Sequence, residues 1–263
     1  MRAQPKWVNV VVPLAIALAV LIGWEAWVRI AEIPAYVIPA PSLVWSTLIS
    51  DWPTLWPSLL VTLKITFLSL LLAVAGGVAL AFLFSLSPWV ELSLVPFAVV
   101  LQVTPIIAIA PLILIYAPNT LTALLICAWI VAFFPILSNT TVGLRSVDRN
   151  LDDLFSLYGA SRWQRLRFLL APSALPYFLA GLKIAGGLSL IGTVVAEYAA
   201  GTSGKESGLA YRILEASFRL NTPRMFAALV LVALTGILIY FLFNGISRLL
   251  LRKWHESELD ASR

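Results

Sequence analysis

Charge is what this 263-residue chain has least of. Asp, Glu, Lys and Arg make up 12% of it, against about 25% in an ordinary soluble domain. So few charges cannot cover a water-facing globular surface. With 60% hydrophobic residues, the composition is that of an integral membrane protein. Its apolar stretches are continuous, unlike the short alternating segments of a transmembrane barrel. Histidine occurs once, as His255 in a charged tail, so no metal constellation and no Ser–His–Asp arrangement can be assembled. Cysteine also occurs once, as Cys127 inside an apolar run. That excludes an internal disulfide and predicts a buried, inert thiol. A phosphate-binding loop is missing too. In "GTSGKES" (Gly201–Ser207), Ala199 stands where G-x-x-x-x-G-K-[ST] needs its first glycine, and Glu206 replaces Ser or Thr. The chain is therefore expected to be no enzyme, to bind no metal or cofactor and to hydrolyse no ATP of its own. The net charge of +5 is spread between apolar runs, which is a topology signal and argues against a nucleic-acid partner.

Six apolar runs are long enough for a helical crossing of about 20 residues: 8–28, 58–85, 92–117, 120–143, 174–200 and 225–247. The third contains Pro96, Pro105 and Pro111, so it is expected to be kinked or broken. A membrane bundle tolerates this where neighbours satisfy the freed carbonyls. The first run outlasts a signal-peptide core of about 7–15 residues and is expected to remain as an uncleaved span. With the N-terminus inside, Arg2, Lys6, Arg145, Arg149, Arg162, Arg165, Arg167, Arg248, Arg252, Lys253 and Arg263 fall inside. Arg29, Lys205, Arg212, Arg219 and Arg224 fall outside. This excess predicts that both termini are inside. The expected organisation is a cytoplasmic segment 1–7, one transmembrane domain 8–247 and a cytoplasmic tail 248–263. Two outer interfacial segments, 29–57 and 201–224, belong to the domain.

Both outer segments carry order signals. In "IPAYVIPAPSLVWSTLISDWP" the prolines favour an extended approach. Ser42 is expected to cap a short Trp-rich helix at the interface. After Gly208, Leu209, Ile213, Ala216 and Leu220 form one stripe, and Arg212, Glu215 and Arg219 another. That is the pattern of an amphipathic helix lying on the outer surface.

The most informative stretch is "LDDLFSLYGASRWQRLRFLLAPSALP", Leu151–Pro176. Leu151, Leu154, Phe155 and Tyr158 share one face of a two-turn helix. Asp152 and Asp153 sit in its first turn, which suits the helix dipole. Gly159 is a natural left-handed stop. Ser161 and Gln164 then have capping-box spacing, and Pro172 and Pro176 are expected to end the segment before the next span. A helix this short is not stable alone. It either packs on its own bundle or fits a partner's groove.

This stretch resembles the signature loop of the permease subunits of binding-protein-dependent ABC importers: E-A-A, three residues, Gly, nine residues, I-x-L-P. Asp153, Leu154 and Phe155 stand at E-A-A, Gly159 at the glycine, and Leu169, Ala171 and Pro172 at I, L and P. "VIPAPSLVWSTL" and "QVTPIIAIAPLILIYAP" resemble segments of the nitrate/sulfonate/taurine branch, with Gln102 and Val103 in place of its usual Arg-Pro. The resemblance implies an all-α bundle of about six membrane helices, of the type I importer permease kind, with a cytoplasmic coupling helix in a loop spanning 144–173. It implies that Leu151, Asp153, Leu154, Phe155, Tyr158, Gly159, Ala160 and Ser161 dock a cytoplasmic ATPase, with Pro172 at the loop's end. ATP and Mg would sit on that ATPase. A periplasmic or lipid-anchored binding protein would deliver a small solute such as a sulfonate, taurine, nitrate or a pyrimidine precursor. A second permease copy, in a homodimer, and membrane lipid would complete the surroundings, in a bacterial inner membrane.

Ionisable or polar groups within spans are functional candidates. Here they are Gln102, Thr104, Asn139, Lys183 and Glu197, candidates to line a translocation pathway, with bonding between helices the alternative for Gln102, Thr104 and Asn139 and Lys64 able to snorkel. Gly181, Ala185, Gly186, Gly187 and Gly192 allow span five a close helix approach, either within the chain or at a dimer interface. The alternative, a gradient-driven transporter or channel, would require inverted repeats and matching broken helices, which the sequence does not display.

Overall fold

The structure, a computed structural model, describes residues 8–201 and 207–252. Arg2, Lys6, Lys205, Lys253, His255, Arg263 and most of the "GTSGKES" turn lie outside the described residues. Within them the chain is helical with no strand: α1 Val8–Ile30, α2 Pro41–Ser50, α3 Trp52–Leu86, α4 Pro88–Val103, α5 Ile106–Tyr116, α6 Thr120–Arg145, α7 Arg149–Leu157, α8 Arg162–Arg165, a π-turn Leu166–Leu170, α9 Ala171–Ala200, α10 Leu209–Phe218 and α11 Thr222–Leu251. Five helical stretches are long and apolar enough to cross a membrane.

Helix directions settle what α4 and α5 do. Gly77 of α3 lies against Ile136 and Leu137 of α6. Nearer the start of both helices, Ile65 clusters with Leu124 and Cys127. The two helices are therefore parallel, and the chain must return between them. Glu91 near the start of α4 pairs with Arg145 at the end of α6. Ala110 of α5 packs in the Ile65–Leu124 cluster, at the other end. The bent pair α4–α5 thus makes the sixth crossing, broken by 103° between Val103 and Ile106. The expected break falls at Pro105, not at Pro96 or Pro111, which lie inside helices. Thr104 is extended (ψ 122°), as the residue before a proline prefers. Its hydroxyl donates to the Val100 carbonyl at 2.6 Å.

α9 runs antiparallel to α6 along a seam of glycines. A Cβ on Gly143 would lie 2.8 Å from Ala174 Cα, one on Gly181 2.7 Å from the Pro135 carbonyl, and one on Gly192 2.9 Å from Ala128 Cα. Gly186 meets Phe243 of α11. The small residues of span five therefore serve packing within the chain, except Gly187, which faces open space. Gly143→Val drives a branched side chain into backbone that cannot retreat. It is expected to cost about 1–3 kcal/mol, read as a lowered thermal midpoint of the solubilised protein, whereas Gly245→Ala, in open space inside α11, does not lower the midpoint and raises it slightly through the better helix preference of alanine.

Two sequence expectations are corrected. Pro172 and Pro176 do not end the loop, because Arg162–Ala200 is one continuous apolar helical stretch. The π-turn makes this possible. The Ala171 N–H reaches back five residues to the Leu166 carbonyl, so the helix widens just before Pro172. Nor does Ser42 cap α2. Pro41 takes the first helical position, where its missing N–H costs nothing. Glu25 of α1 instead accepts the Ser42 N–H at 2.9 Å and its hydroxyl at 2.7 Å. Over its first half α1 stands clear of the bundle, with the large apolar side chains from Val11 to Ile22 exposed. Near its end Trp24 is half-buried against Phe226 of α11, ring centroids 5.6 Å apart, and Val28 is buried.

The two ends of the bundle differ. The α6–α7–α9 connection, with Arg145, Arg149, Arg162, Arg165 and Arg167, forms what we term the loop face. α2, α10 and the start of α11 lie at the far face, where Arg224 pairs with Asp51 at 2.5 Å and Thr222 donates to the Tyr36 carbonyl at 2.5 Å.

Candidate functional site

At the loop face, α7 is a nine-residue helix with no buried residue. Asp148 caps its start, accepting the Asn150 N–H at 2.7 Å. Its end is a Schellman closure around Gly159 at φ +63°. The Gly159 N–H donates to the Ser156 carbonyl and the Ala160 N–H to the Phe155 carbonyl, each at 3.0 Å. The predicted capping box is present, with the Ser161 N–H donating to Gln164 Oε1 at 2.8 Å and the Gln164 N–H to Ser161 Oγ at 3.3 Å. Arg165 of α8 ties back to Asp152 of α7. The loop is therefore fixed in shape and continuous with α9, yet its apolar side chains are not covered. Leu151, Leu154 and Tyr158 are exposed, and Tyr158 is 83% so. Phe155 is half-buried and Asp153 exposed. Leu154, Phe155, Tyr158, Ala160, Gln164 and Phe168 line a hollow of about 300 Å³. Pro172 lies away from this hollow, in the first turn of α9.

The pathway candidates separate in space. Gln102 and Thr104 line a hollow of about 270 Å³ at the α4–α5 break, walled by Ile130, Val131 and Pro135 of α6 and Leu188 of α9. Asn139 is half-buried and donates to the Pro135 carbonyl at 2.8 Å, next to Gly181. Lys183 is half-buried on α9 and is not part of this lining. Lys64 is exposed.

Glu197 belongs to a different arrangement. It is 1% exposed and accepts the Thr62 hydroxyl at 2.8 Å and the Ala210 N–H at 3.1 Å. Thr62 in turn accepts the Leu209 N–H at 2.9 Å. Together they satisfy two of the orphan donors at the start of α10, the Leu209 and Ala210 N–H groups. The same seam continues inward. Thr66 donates to Thr193 at 3.2 Å, and Ser69 and Ser189 share a 2.8 Å bond. Ser58 accepts from Arg212 Nε at 2.9 Å. Such interhelical bonds in membranes are worth about 0.6 kcal/mol each, so the seam acts by number and register. Sequence reasoning singled out Glu197 alone. The signal was present in Ser58-Thr62-Thr66-Ser69 and Ser189-Thr193-Glu197, polar residues repeating at helical spacing inside apolar runs.

This architecture is a helical membrane bundle that carries a rigid, uncovered apolar helix at one face and a broken span inside. That is the architecture of a multi-pass helical membrane protein. Residues 73–256 match the family described as binding-protein-dependent transport system inner membrane component, and the chain belongs to that family. It is 34% identical to the riboflavin transport system permease protein RibX of Chloroflexus aurantiacus, over 96% of this chain and 92% of that one. It is 30% identical to the formylaminopyrimidine transport permease protein ThiX of Halalkalibacterium halodurans, over 94% of this chain and 96% of that one. Permeases named for sulfonates, nitrate and taurine are also among its relatives. The crystal structure of an amino acid ABC transporter with histidines shares the fold, with a TM-score of 0.63 at 20% identity, over 79% of this chain and 97% of that one. The chain is thus the permease subunit of an ATP-driven importer, a multi-pass inner-membrane protein of a family that works with ATPase and substrate-binding partners.

Proposed function

We propose that the loop face is cytoplasmic and that the segment from Leu151 to Ser161, α7 with its Gly159 turn, seats in a groove of the ATPase subunit. Both termini are then cytoplasmic, and α2 and α10 face the binding protein. The observation that carries this is a short helix capped at both ends, tied to α8 through Asp152–Arg165, with no apolar side chain buried. Such a helix passes a displacement into α9, because the connection has no slack. ATP and Mg belong to the ATPase subunit, and this chain performs no chemistry. A second copy of the chain completes the pathway. The uncovered length of α1, in contact with lipid or that copy, supports this assembly.

The translocated solute passes the α4–α5 break. Its hollow offers an amide, a hydroxyl and apolar walls, with no charged residue in the lining. That suits an uncharged polar heterocycle, of the kind for which RibX and ThiX are named, better than an inorganic anion. Gln102→Leu removes one hydrogen-bonding group, worth about 0.5–1.5 kcal/mol. It is expected to slow ATP-driven uptake of a flavin or pyrimidine substrate three- to tenfold, with ATPase co-purification unchanged. Wild-type uptake by that variant across a panel of heterocycles would remove Gln102 from the path.

A further inference from the structure

A crevice of about 500 Å³ lies between α3 and α9 toward the loop face, beyond the last rung of the polar seam at Ser69–Ser189. Ala75, Val78 and Phe82 of α3 form one wall and Ala171 and Phe178 of α9 the other, with Thr140 of α6 as floor. The volume is within the usual range of small-ligand sites, about 300–1,000 Å³. Thr140 is 4% exposed, and among the described residues its hydroxyl is the one buried side-chain polar atom without a hydrogen-bond partner. Its neighbours Asn139 and Thr141 each bond back to a carbonyl four residues earlier, at 2.8 Å. Thr140 does not, and a buried hydroxyl left unpaired is costly. Water is a poor occupant, because it needs two to four polar partners and the lining supplies one side-chain hydroxyl. A suitable ligand is long and apolar, with a single hydrogen-bonding group partway along.

Charge at the mouth selects among such ligands. Arg167, Ala171 and Ala174 follow one another at four- and three-residue spacing, so Arg167 springs from the helix about one turn beyond the crevice, with its guanidinium over the Phe168 ring, 5.5 Å from the centroid. Arg145 is taken by Glu91 and Arg165 by Asp152. Arg149, Arg162 and Arg167 have no carboxylate partner among the described residues. Cations with no carboxylate to neutralise them, beside an apolar slot, are complementary to a lipid anion.

We propose that each chain holds one anionic phospholipid here. An acyl chain fills the crevice, an ester carbonyl accepts from Thr140, and the phosphate lies at the Arg162–Arg167 end. The crevice shares no lining residue with the hollow at the α4–α5 break or with the hollow of α7. The test uses the complete importer in nanodiscs of equal phosphatidylglycerol and phosphatidylcholine, with retained lipid counted by native mass spectrometry. One phosphatidylglycerol per permease chain is expected, favoured at least fivefold over phosphatidylcholine. Thr140→Val and Arg167→Gln should each lower retention severalfold, and Ala75→Phe with Ala171→Phe should abolish it. Thr140→Val is nearly isosteric, so it remains informative if the filled variant fails to fold. Equal retention of both lipids, or retention indifferent to Thr140→Val, would overturn the proposal. So would efficient crosslinking of a photoreactive benzoylphenylalanine at position 78 to a second permease chain, which would show that protein fills the crevice.

Discussion

Replacing Phe155 with aspartate is expected to reduce ATP-driven uptake to background and to release the ATPase subunit on purification, while the permease still inserts and folds. Phe155 is half-buried and lines the hollow of α7 beside Leu154 and Tyr158, on the face offered to a partner. Burying such a side chain is worth about 1.5–3 kcal/mol. A carboxylate in its place loses that and adds the cost of desolvating a charge without a partner. The sum corresponds to at least 100-fold in affinity for the ATPase. Folding is spared because α7 contributes no buried residue to the bundle, and its caps at Asp148 and Gly159 do not involve the Phe155 side chain. Phe155→Leu keeps most of the apolar contact and should cost less than tenfold. Normal uptake together with normal ATPase recovery in the aspartate variant would show that α7 is not the docking element.

The loop was readable in the sequence because its information is local. Ser161 and Gln164 are three residues apart, Gly159 ends a run with helical periodicity, and no distant contact competes with either. The spans were readable for a related reason, since about 20 apolar residues in lipid have few alternatives to a helix. Features that depend on tertiary partners were not. Pro96, Pro105 and Pro111 look alike in the sequence. Only at Pro105 do the helices part, leaving Thr104 extended and its hydroxyl on the Val100 carbonyl. Pro172 reads as a stop, yet a π-turn five residues long absorbs it. Ser42 has the chemistry of a cap, but Glu25, 17 residues earlier, does the capping. Glu197 drew attention as an ionisable group in a span. Its partner Thr62 is 135 residues away, and nothing near Glu197 in the sequence names it.

That partnership sets the second large effect, at Gly208. A Cβ at this position would coincide with the carboxylate of Glu197. The carboxylate cannot move aside: it is buried, held by Thr62 on one oxygen and by the Ala210 N–H on the other. Gly208→Val therefore forces the start of α10 off the bundle. With α10 go the Leu209 N–H bond to Thr62 and the Arg212 bond to Ser58. The expected cost is about 3 kcal/mol, at the upper end for overpacking. Limited trypsin digestion reads it directly, because Arg212 is half-buried against Ser58 and Glu215 and should become a cleavage site. Uptake should fall with it, while ATPase co-purification, which depends on the opposite face, should persist. Glu197 provides the companion test. Glu197→Gln retains an acceptor for the Ala210 N–H and should stay near wild type. Glu197→Leu leaves that N–H orphaned, at about 1–3 kcal/mol, and should move part of the way toward the Gly208→Val digestion pattern. If Gly208→Val kept Arg212 protected and uptake intact, Glu197 would not be what seats α10, and the seam between α3 and α9 would have to end at Thr193.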